Sequence, residues 1–429
     1  MALTRQDTQN STFSTMSDIL NGVSALPFQA SRTQSTGTEK PTQLINSDAF
    51  KVEPSCSAFD HILCFAHLRW NFVYQRPQHL LSRAARQCKV WYVEEPIWQD
   101  TLHLEIRSVA ENLCVVVPHL PRDIDEQTAI RLQRQLVNQL IDQQQLTNYI
   151  TWYYTPMAFP FTDHLRPSLV LYDCMDELSA FLGASPQLIE QEQRLLNRAD
   201  VVFTGGYSLY EAKQKRHPNV YAFPSCIDYD HFAQARLCPS GAGYDDPADQ
   251  VAIQGPRIGY SGVVDERLDL ALLNELAKQQ PDWQFILLGP IVKIDPATLP
   301  KGPNLHFLGM KNYKELPAYF SHWDVAMMPF AINEATRFIS PTKTPEYLAA
   351  GLPVVSTPIR DVVRTYGGWD RVVIADSVSA FQQGIESALQ KSLGSDDVAL
   401  DLFLRKQSWD LTWRHMGRIL SNQTVPVTV

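Results

Sequence analysis

The sequence predicts an α/β protein of two domains, each a mostly parallel sheet covered by helices. Three observations carry this. Short, near-continuous apolar runs alternate with helical patterns, which is the layout of strands buried on both faces. The alternation runs twice, over about 180 and about 140 residues, with a Pro-, Gly-, Asp- and Ser-rich stretch containing CPSGAGYDDPADQ between the two series. A length of 429 residues with 45% hydrophobic and 19% charged residues fits two globular domains and excludes a mainly disordered or fibrous chain.

Residues 1–57 are crowded with Ser, Thr, Gln and Asn and show no sustained apolar period, so they read as a disordered tail. A targeting leader is the alternative, opposed by Asp7, Asp18 and Glu39. Order begins at Asp60, where HILCFAHL has the length of a buried strand; an irregular stretch follows, then a helix opened by Pro77. KVWYVEEP and NLCVVVP are the next strands, and 125–146 is a helix with Leu132, Leu136, Leu140, Val137 and Ile141 on one stripe. NYITWYYTP, SLVLYDCMD, DVVFTGG and NVYAFPS are strands, with helices at 186–198 and from 207. The first domain is thus 58–235 and the linker 236–255. In the second domain, 256–400, PRIGYSG, QFILLGP, NLHFLG, DVAMMPF, LPVVST and RVVIA are strands, while 268–280, YKELPAYF and TKTPEYLAAG are helices. A final helix around 402–420, within 401–429, carries Trp409 and Trp413 and either closes the second domain or crosses back onto the first. Two such series make two Rossmann-like domains facing each other across a cleft, with the strand C-termini as ligand edges.

Charge and composition narrow the partners. There are 37 Lys and Arg against 46 Asp and Glu, a net charge of -9, which argues against nucleic acid. The seven cysteines form no C-x-x-C pair and no Cys/His cluster of zinc-ligand spacing, so they read as reduced thiols of a cytoplasmic protein, and no metal is expected. No run approaches the roughly 18 to 20 apolar residues that span a bilayer, and no signal-peptide layout opens the chain. Any membrane role is peripheral, at the inner face. Lys213, Lys215 and Arg216 in EAKQKRHP carry that expectation, with a solvated face as the alternative.

Chemistry concentrates in NEATRFISPTKTPEYLAAGLPVVST, from Asn333 to Thr357. Ser340, Pro341 and Thr342 lead into a helix whose unpaired N–H groups and positive dipole end favour a phosphate. Lys343 adds a mobile cation, and Glu346, a turn later, can accept two hydrogen bonds from a ribose diol. The plainer alternative is a capped helix with Glu346 in a surface ion pair. Pro345 is tolerated only in a first turn, so the helix starts no earlier than Thr342. In the first domain, AHLRWNFVYQRPQHL supplies Arg69, Trp70, Gln75 and Arg76: planar forks for phosphate or carboxylate, and an aromatic face for the C–H side of a sugar. They suit a ligand carrying a phosphate or carboxylate, or else buttress the cleft. His67, at the strand end, is a further candidate. Asp176 and Glu177 follow LVLYDCM, where a carboxylate can orient or deprotonate an acceptor hydroxyl; a helix cap with Ser179 is the rival reading. Asp228-Tyr229-Asp230 is set aside as a metal site, and Gly205-Gly206 as a phosphate loop, for want of G-x-G-x-x-G spacing.

PTKTPEYLAAGLPVVST resembles the donor-site signature of GT-B glycosyltransferases of the family 4 and family 1 type. RIGYSG, FILLGP, HFLGMKNYKELPAYFSHWDVAMMPF and FPSCIDYDHF extend the resemblance over about residues 58–420. It implies a sugar-nucleotide on the second domain, an acceptor on the first, no cofactor and no metal. Gly262 would let backbone approach the pyrophosphate, Arg267 and Lys343 would stabilise the departing diphosphate, and Glu346 would hold the ribose. Gly309, Met310 and Lys311 would meet the base, and Asn333, Ser340, Pro341 and Thr342 would line the donor.

Two departures stand out. The first of the family's two spaced glutamates is replaced by Phe338, with Asn333 and Glu334 nearby as substitutes, and no histidine follows the strand before Asp176. Arg69, Trp70, Gln75 and Arg76 also stand where many members have a glycine-rich loop. The expected function is hexosyl transfer from a nucleoside diphosphate sugar to a hydroxyl of a glycan or lipid-linked acceptor, with retention, most similar to cell-surface polysaccharide transferases of teichuronic-acid type. A non-catalytic GT-B module, an epimerase or a phosphorylase on the same fold are the alternatives.

Overall fold

The computed structural model describes residues 58–181, 184, 186–237, 244–390 and 398–424; the tail read at 1–57, the middle of the expected linker, Cys56 and Cys238 lie outside them. The first sheet contains β1 (His61–Phe65), β2 (Lys89–Val93), β3 (Ile97–Trp98), β4 (His103–Ala110), β5 (Leu113–Leu120), β6 (Tyr149–Tyr153), β7 (Leu169–Cys174), β8 (Val201–Thr204) and β9 (Val220–Ala222). Its order is β3-β5-β2-β1-β6-β7-β8-β9, parallel except for β4, which pairs antiparallel with β5. The second sheet contains β10 (Arg257–Ser261), β11 (Gln284–Leu288), β12 (Leu305–Gly309), β13 (Val325–Met328), β14 (Val354–Ser356) and β15 (Val372–Ile374), all parallel in the order β12-β11-β10-β13-β14-β15.

In both sheets the chain reverses its direction of travel at the first strand. β1 lies between β2 and β6, and β10 between β11 and β13. The crevice beyond the C-terminal end of such a switch-point strand is where α/β folds hold ligands. The apolar runs HILCF and VAMM are almost wholly buried, as strands covered by helices on both faces require.

The structure departs from the sequence reading at several elements, β3 and helices Arg360–Tyr366 and Val378–Gln390 among those not expected. β4 was not foreseen because HLEIRSVA leaves most of its side chains partly or fully exposed and shows no continuous apolar run. It forms a hairpin with β5, turned through Asn112 at φ 58°. The helix expected at 402–420 is two helices, Val398–Arg405 and Trp409–Thr424. Leu400 and Leu404 of the former pack into the second domain's core, while Trp409, Trp413, Met416 and Leu420 of the latter enter the first domain's core. The chain therefore crosses back. The outgoing crossing lies beside it: Ile227 N donates to Gln407 O at 2.9 Å. Ile227, Tyr229, Phe232 and Ala235 already belong to the second domain's core, so the first domain's core ends before the expected boundary at 235.

The two domains also touch on the other side of the cleft. Ser208, in the first turn of helix Tyr207–Lys213, donates from N and Oγ to Asp361 of the second domain, the backbone bond being 3.1 Å. A Cβ on Gly206 would collide with the Asp361 carboxylate and with Ser340, so this approach requires glycine.

Candidate active site

On the second domain, the end of β10 and the start of helix Lys343–Ala349 are tied together. Ser261 N donates to the hydroxyl of the fully buried Tyr347 at 2.7 Å. Gly262 N donates to Leu288 O at 2.8 Å. A side chain at Gly262 would press on Tyr260 Oη at 2.6 Å and Lys343 Cε at 3.0 Å, so the glycine and the lysine are neighbours by packing. Thr342 is the N-cap, as Pro345 requires, but its side chain makes no capping bond to the helix's first N–H groups. It is instead reached by Lys343 Nζ at 3.2 Å. Glu346 is only 8% exposed, which is not the surface ion pair of the plainer reading. Burial pushes its carboxyl upward in pKa, against the pull of Lys343 and the Thr342 hydroxyl.

Around this point the expected donor residues divide. Gly309 has φ 73° and open space beyond it, and Met310 is half exposed, so the loop after β12 offers accessible backbone. Lys311 is engaged by Asp249. Tyr313, whose buried hydroxyl has no hydrogen-bond partner among the described residues, borders Glu346 and packs on Tyr74 of the first domain at 4.9 Å. Asn333 is engaged within its own turn, accepting from Thr336 N at 3.1 Å, and Glu334 pairs with Arg337 on the surface at 3.3 Å. Neither substitutes in this geometry for the acid that Phe338 replaces. Phe338 packs toward the first domain's core. The Ser340 carbonyl accepts from Ser225 Oγ at 2.5 Å, joining the domains just ahead of Pro341 and Thr342.

On the first domain most of the expected acceptor residues are structural. Arg76 is 4% exposed and grips Asp173 through Nε at 3.1 Å and Nη2 at 2.8 Å, while Nη1 donates to Phe223 O at 2.8 Å. It is withdrawn from the acceptor set, because a buried guanidinium needs all of these partners. Arg69 pairs with Glu94 at 2.9 Å and remains 40% exposed, and Trp70 meets the ring of Tyr92 edge-on at 5.0 Å. Lys213 is fully buried against Glu192 at 2.5 Å and Glu177 at 2.7 Å, and Arg216 also pairs with Glu192. Of the three basic residues expected at a membrane, Lys213 is thus withdrawn into the interior, while Lys215 and Arg216 are exposed. Among the described residues no helix is long and apolar enough to cross a membrane.

Across the cleft stands a mixed cluster. Asp176 lines it partly exposed, its carboxyl raised by burial and pulled down by Arg267 and Lys293. It does not cap helix Leu178–Ala180, whose N-cap is Glu177. His67 Nδ1 is buried with no hydrogen-bond partner among the described residues, and burial, with Lys293 nearby, brings the ring's pKa down to about 4, so it is neutral at pH 7. Arg267 turns its Nε–Nη2 edge to Asp265 at 3.0 and 2.7 Å, and its Nη1 makes no hydrogen bond among the described residues. Burial opposes its charge and Asp265 overrides that, holding it protonated. Arg267 stands ahead of the next helix, which opens at Leu270 and is capped by Asp269. The sequence reading missed Glu266 and Lys293. Their signal was present, since VVDERLD puts acids beside Arg267 and GPIVK follows β11 at the same sheet edge.

Two Rossmann-like sheets with facing switch points, joined by an outgoing crossing and a returning C-terminal helix, define a GT-B fold. Residues 256–391 match the family described as Glycosyl transferases group 1. Over these residues the second domain is similar to glycosyl transferases group 1. A Bacillus subtilis (strain 168) protein named as a teichuronic acid biosynthesis glycosyltransferase, TuaH, is 27% identical over 226 residues, 48% of this chain and 54% of that protein. The match spans about half the length of that curated relative. An E. coli trehalose-6-phosphate protein bound with UDP-2-fluoro glucose shares the fold at TM-score 0.63 and 11% identity, covering 86% of this chain and all of the other. Sucrose-phosphate synthase from Thermosynechococcus elongatus does so at 0.62 and 14%, covering 85% and 98%.

Proposed function

We propose that the protein transfers a hexosyl group from a nucleoside diphosphate sugar to a hydroxyl of a glycan or lipid-linked acceptor, without a metal and with retention of configuration. The observation that carries this is the packing of Lys343 against Gly262 at the end of the switch-point strand β10, with Glu346 buried one turn beyond. A diphosphate set there meets the uncapped first N–H groups of helix Lys343–Ala349, the Lys343 ammonium and the free side of Arg267. These fixed positive groups stabilise charge as the glycosidic bond breaks. Glu346 receives the ribose, and the exposed backbone at Gly309 and Met310 receives the base.

On the facing wall Asp176, whose affinity for a proton burial increases, orients the acceptor hydroxyl and draws off its proton. The teichuronic-acid name of the Bacillus relative supports a cell-envelope glycan acceptor, and the fold neighbour bound with UDP-2-fluoro glucose supports a UDP-sugar donor. A cytoplasmic site of action goes with this reading.

The test is thermal stability with and without UDP, GDP, ADP and TDP in chelator, for the wild type, Lys343→Ala and Glu346→Ala. A ligand at about 100 times its Kd adds roughly 2.7 kcal/mol, so the nucleotide that fits gives a clear upward shift, lost in both variants. No shift with any of the four overturns the donor-site reading. Glu346→Ala alone gives no loss of stability beyond packing, since removing a buried carboxyl of raised pKa relieves desolvation at neutral pH.

A further inference from the structure

Glu266 and Lys293 form a charged pair that the fold leaves incomplete. The Lys293 ammonium stands 4.0 Å from Glu266 Oε1, beyond hydrogen-bond length. Both oxygens of Glu266 are buried without a hydrogen-bond partner among the described residues, although the side chain as a whole keeps 19% of its surface open. Lys293 is held at φ 66° and extends its ammonium 5.0 Å over the ring of Phe181, which belongs to the first domain, so the pair stands on the second domain where it meets the first. A buried carboxylate without hydrogen bonds destabilises a fold, and native structures keep one where something else completes it.

We propose that this pair reads a hydroxyl of the sugar carried by the donor. A hydroxyl between the two groups accepts from the ammonium and donates to the carboxylate, making two charge-assisted hydrogen bonds that the protein alone does not make. Rotation about the terminal torsion of Glu266, a soft torsion, brings an oxygen toward the opening. Position selects the donor sugar over the acceptor. Glu266 lies on the same loop as Gly262 and Arg267, at the end of β10 where the diphosphate is placed, and Lys293 lies on the adjoining loop after β11, toward the first domain. A hexose attached to that diphosphate and pointing into the cleft meets this pair. The inference rests on the donor-site reading above and adds the feature that distinguishes a sugar-nucleotide from the bare diphosphate.

The experiment is calorimetric titration of the full chain with UDP, GDP and TDP and with UDP-glucose, UDP-galactose, UDP-N-acetylglucosamine, GDP-mannose and TDP-glucose. Wild type, Glu266→Gln and Lys293→Gln are compared. The wild type binds at least one sugar-nucleotide more tightly than its own diphosphate. In Glu266→Gln that advantage falls by about 10- to 100-fold, the range for hydrogen bonds to charged groups, while affinity for the bare diphosphate stays within about twofold. Lys293→Gln loses the same advantage. Glu266→Gln melts no lower than the wild type, because it removes a carboxylate that the fold does not satisfy. A wild type with no preference for any of the five sugar-nucleotides overturns the proposal, as does a Glu266→Gln protein that loses diphosphate and sugar-nucleotide equally or retains both. A wild type that binds no diphosphate overturns the donor-site reading itself, and this proposal with it.

Discussion

The charged residues of the two domains have opposite fates. In the first domain Arg76, Asp173, Lys213 and Glu192 are buried and fully engaged with one another, and Arg69 is clamped to Glu94. In the second domain Lys343 reaches only a neighbouring hydroxyl, half of Arg267 faces away from its partner, and Glu266 has no hydrogen bond among the described residues. In the first domain these pairs hold the architecture, whereas on the second domain the fold leaves part of each group's bonding capacity unused among the described residues. Residue type alone does not separate them; what separates them is whether the fold completes each group's hydrogen bonds.

That contrast predicts a graded series of effects. The largest belongs to the first domain. Arg76→Ala leaves Asp173 charged and sealed, and urea unfolding is expected to show a loss of about 3–5 kcal/mol. Arg76→Met combined with Asp173→Leu is expected to recover most of that loss, with nucleotide-dependent stabilisation intact. A mild effect of Arg76→Ala breaks the comparison by making the first domain's charges as dispensable as those of the second.

Next is the interdomain contact. Gly206→Ala forces a methyl group into Asp361 and Ser340, costing about 1–3 kcal/mol as overpacking does. Small-angle scattering is expected to show a wider cleft, whereas an unchanged profile means the contact does not set domain spacing. Of similar size at acid pH, and nil at neutral pH, is a titration effect. His67 takes up a proton less readily in the fold, at about 4, than its ordinary value of 6.5, so the unfolded chain binds more protons between those values. Its contribution is complete above pH 6.5 and is lost as pH falls toward 4, and His67→Gln is expected to flatten that part of the stability profile. Glu334→Ala is expected to have the smallest effect, within about 0.5 kcal/mol and with no change in nucleotide response, since its pair with Arg337 is exposed. A lost nucleotide response there would return Glu334 to the donor site.

Much of the architecture was legible in the chain. Buried parallel strands need uninterrupted apolar runs, so HILCF, YITWY, QFILL and VAMM announce themselves locally. The helix start at Thr342 was equally local, because Pro345 excludes an earlier one. The tertiary structure alone decided the rest. β4 was hidden because a strand exposed along much of its length has no apolar run to read. The return of Trp409 and Trp413 to the first domain depended on a break at 406–408 and on which core had room for them. The fates of the charges were least legible of all. Arg76 and Asp173 are 97 residues apart and Glu266 lies 27 positions from Lys293, and nothing in either local sequence reveals which pair closes and which stays open. Periodicity reports how one element buries its own apolar face, whereas satisfying a charge requires a partner delivered by another element, and only the folded chain settles that.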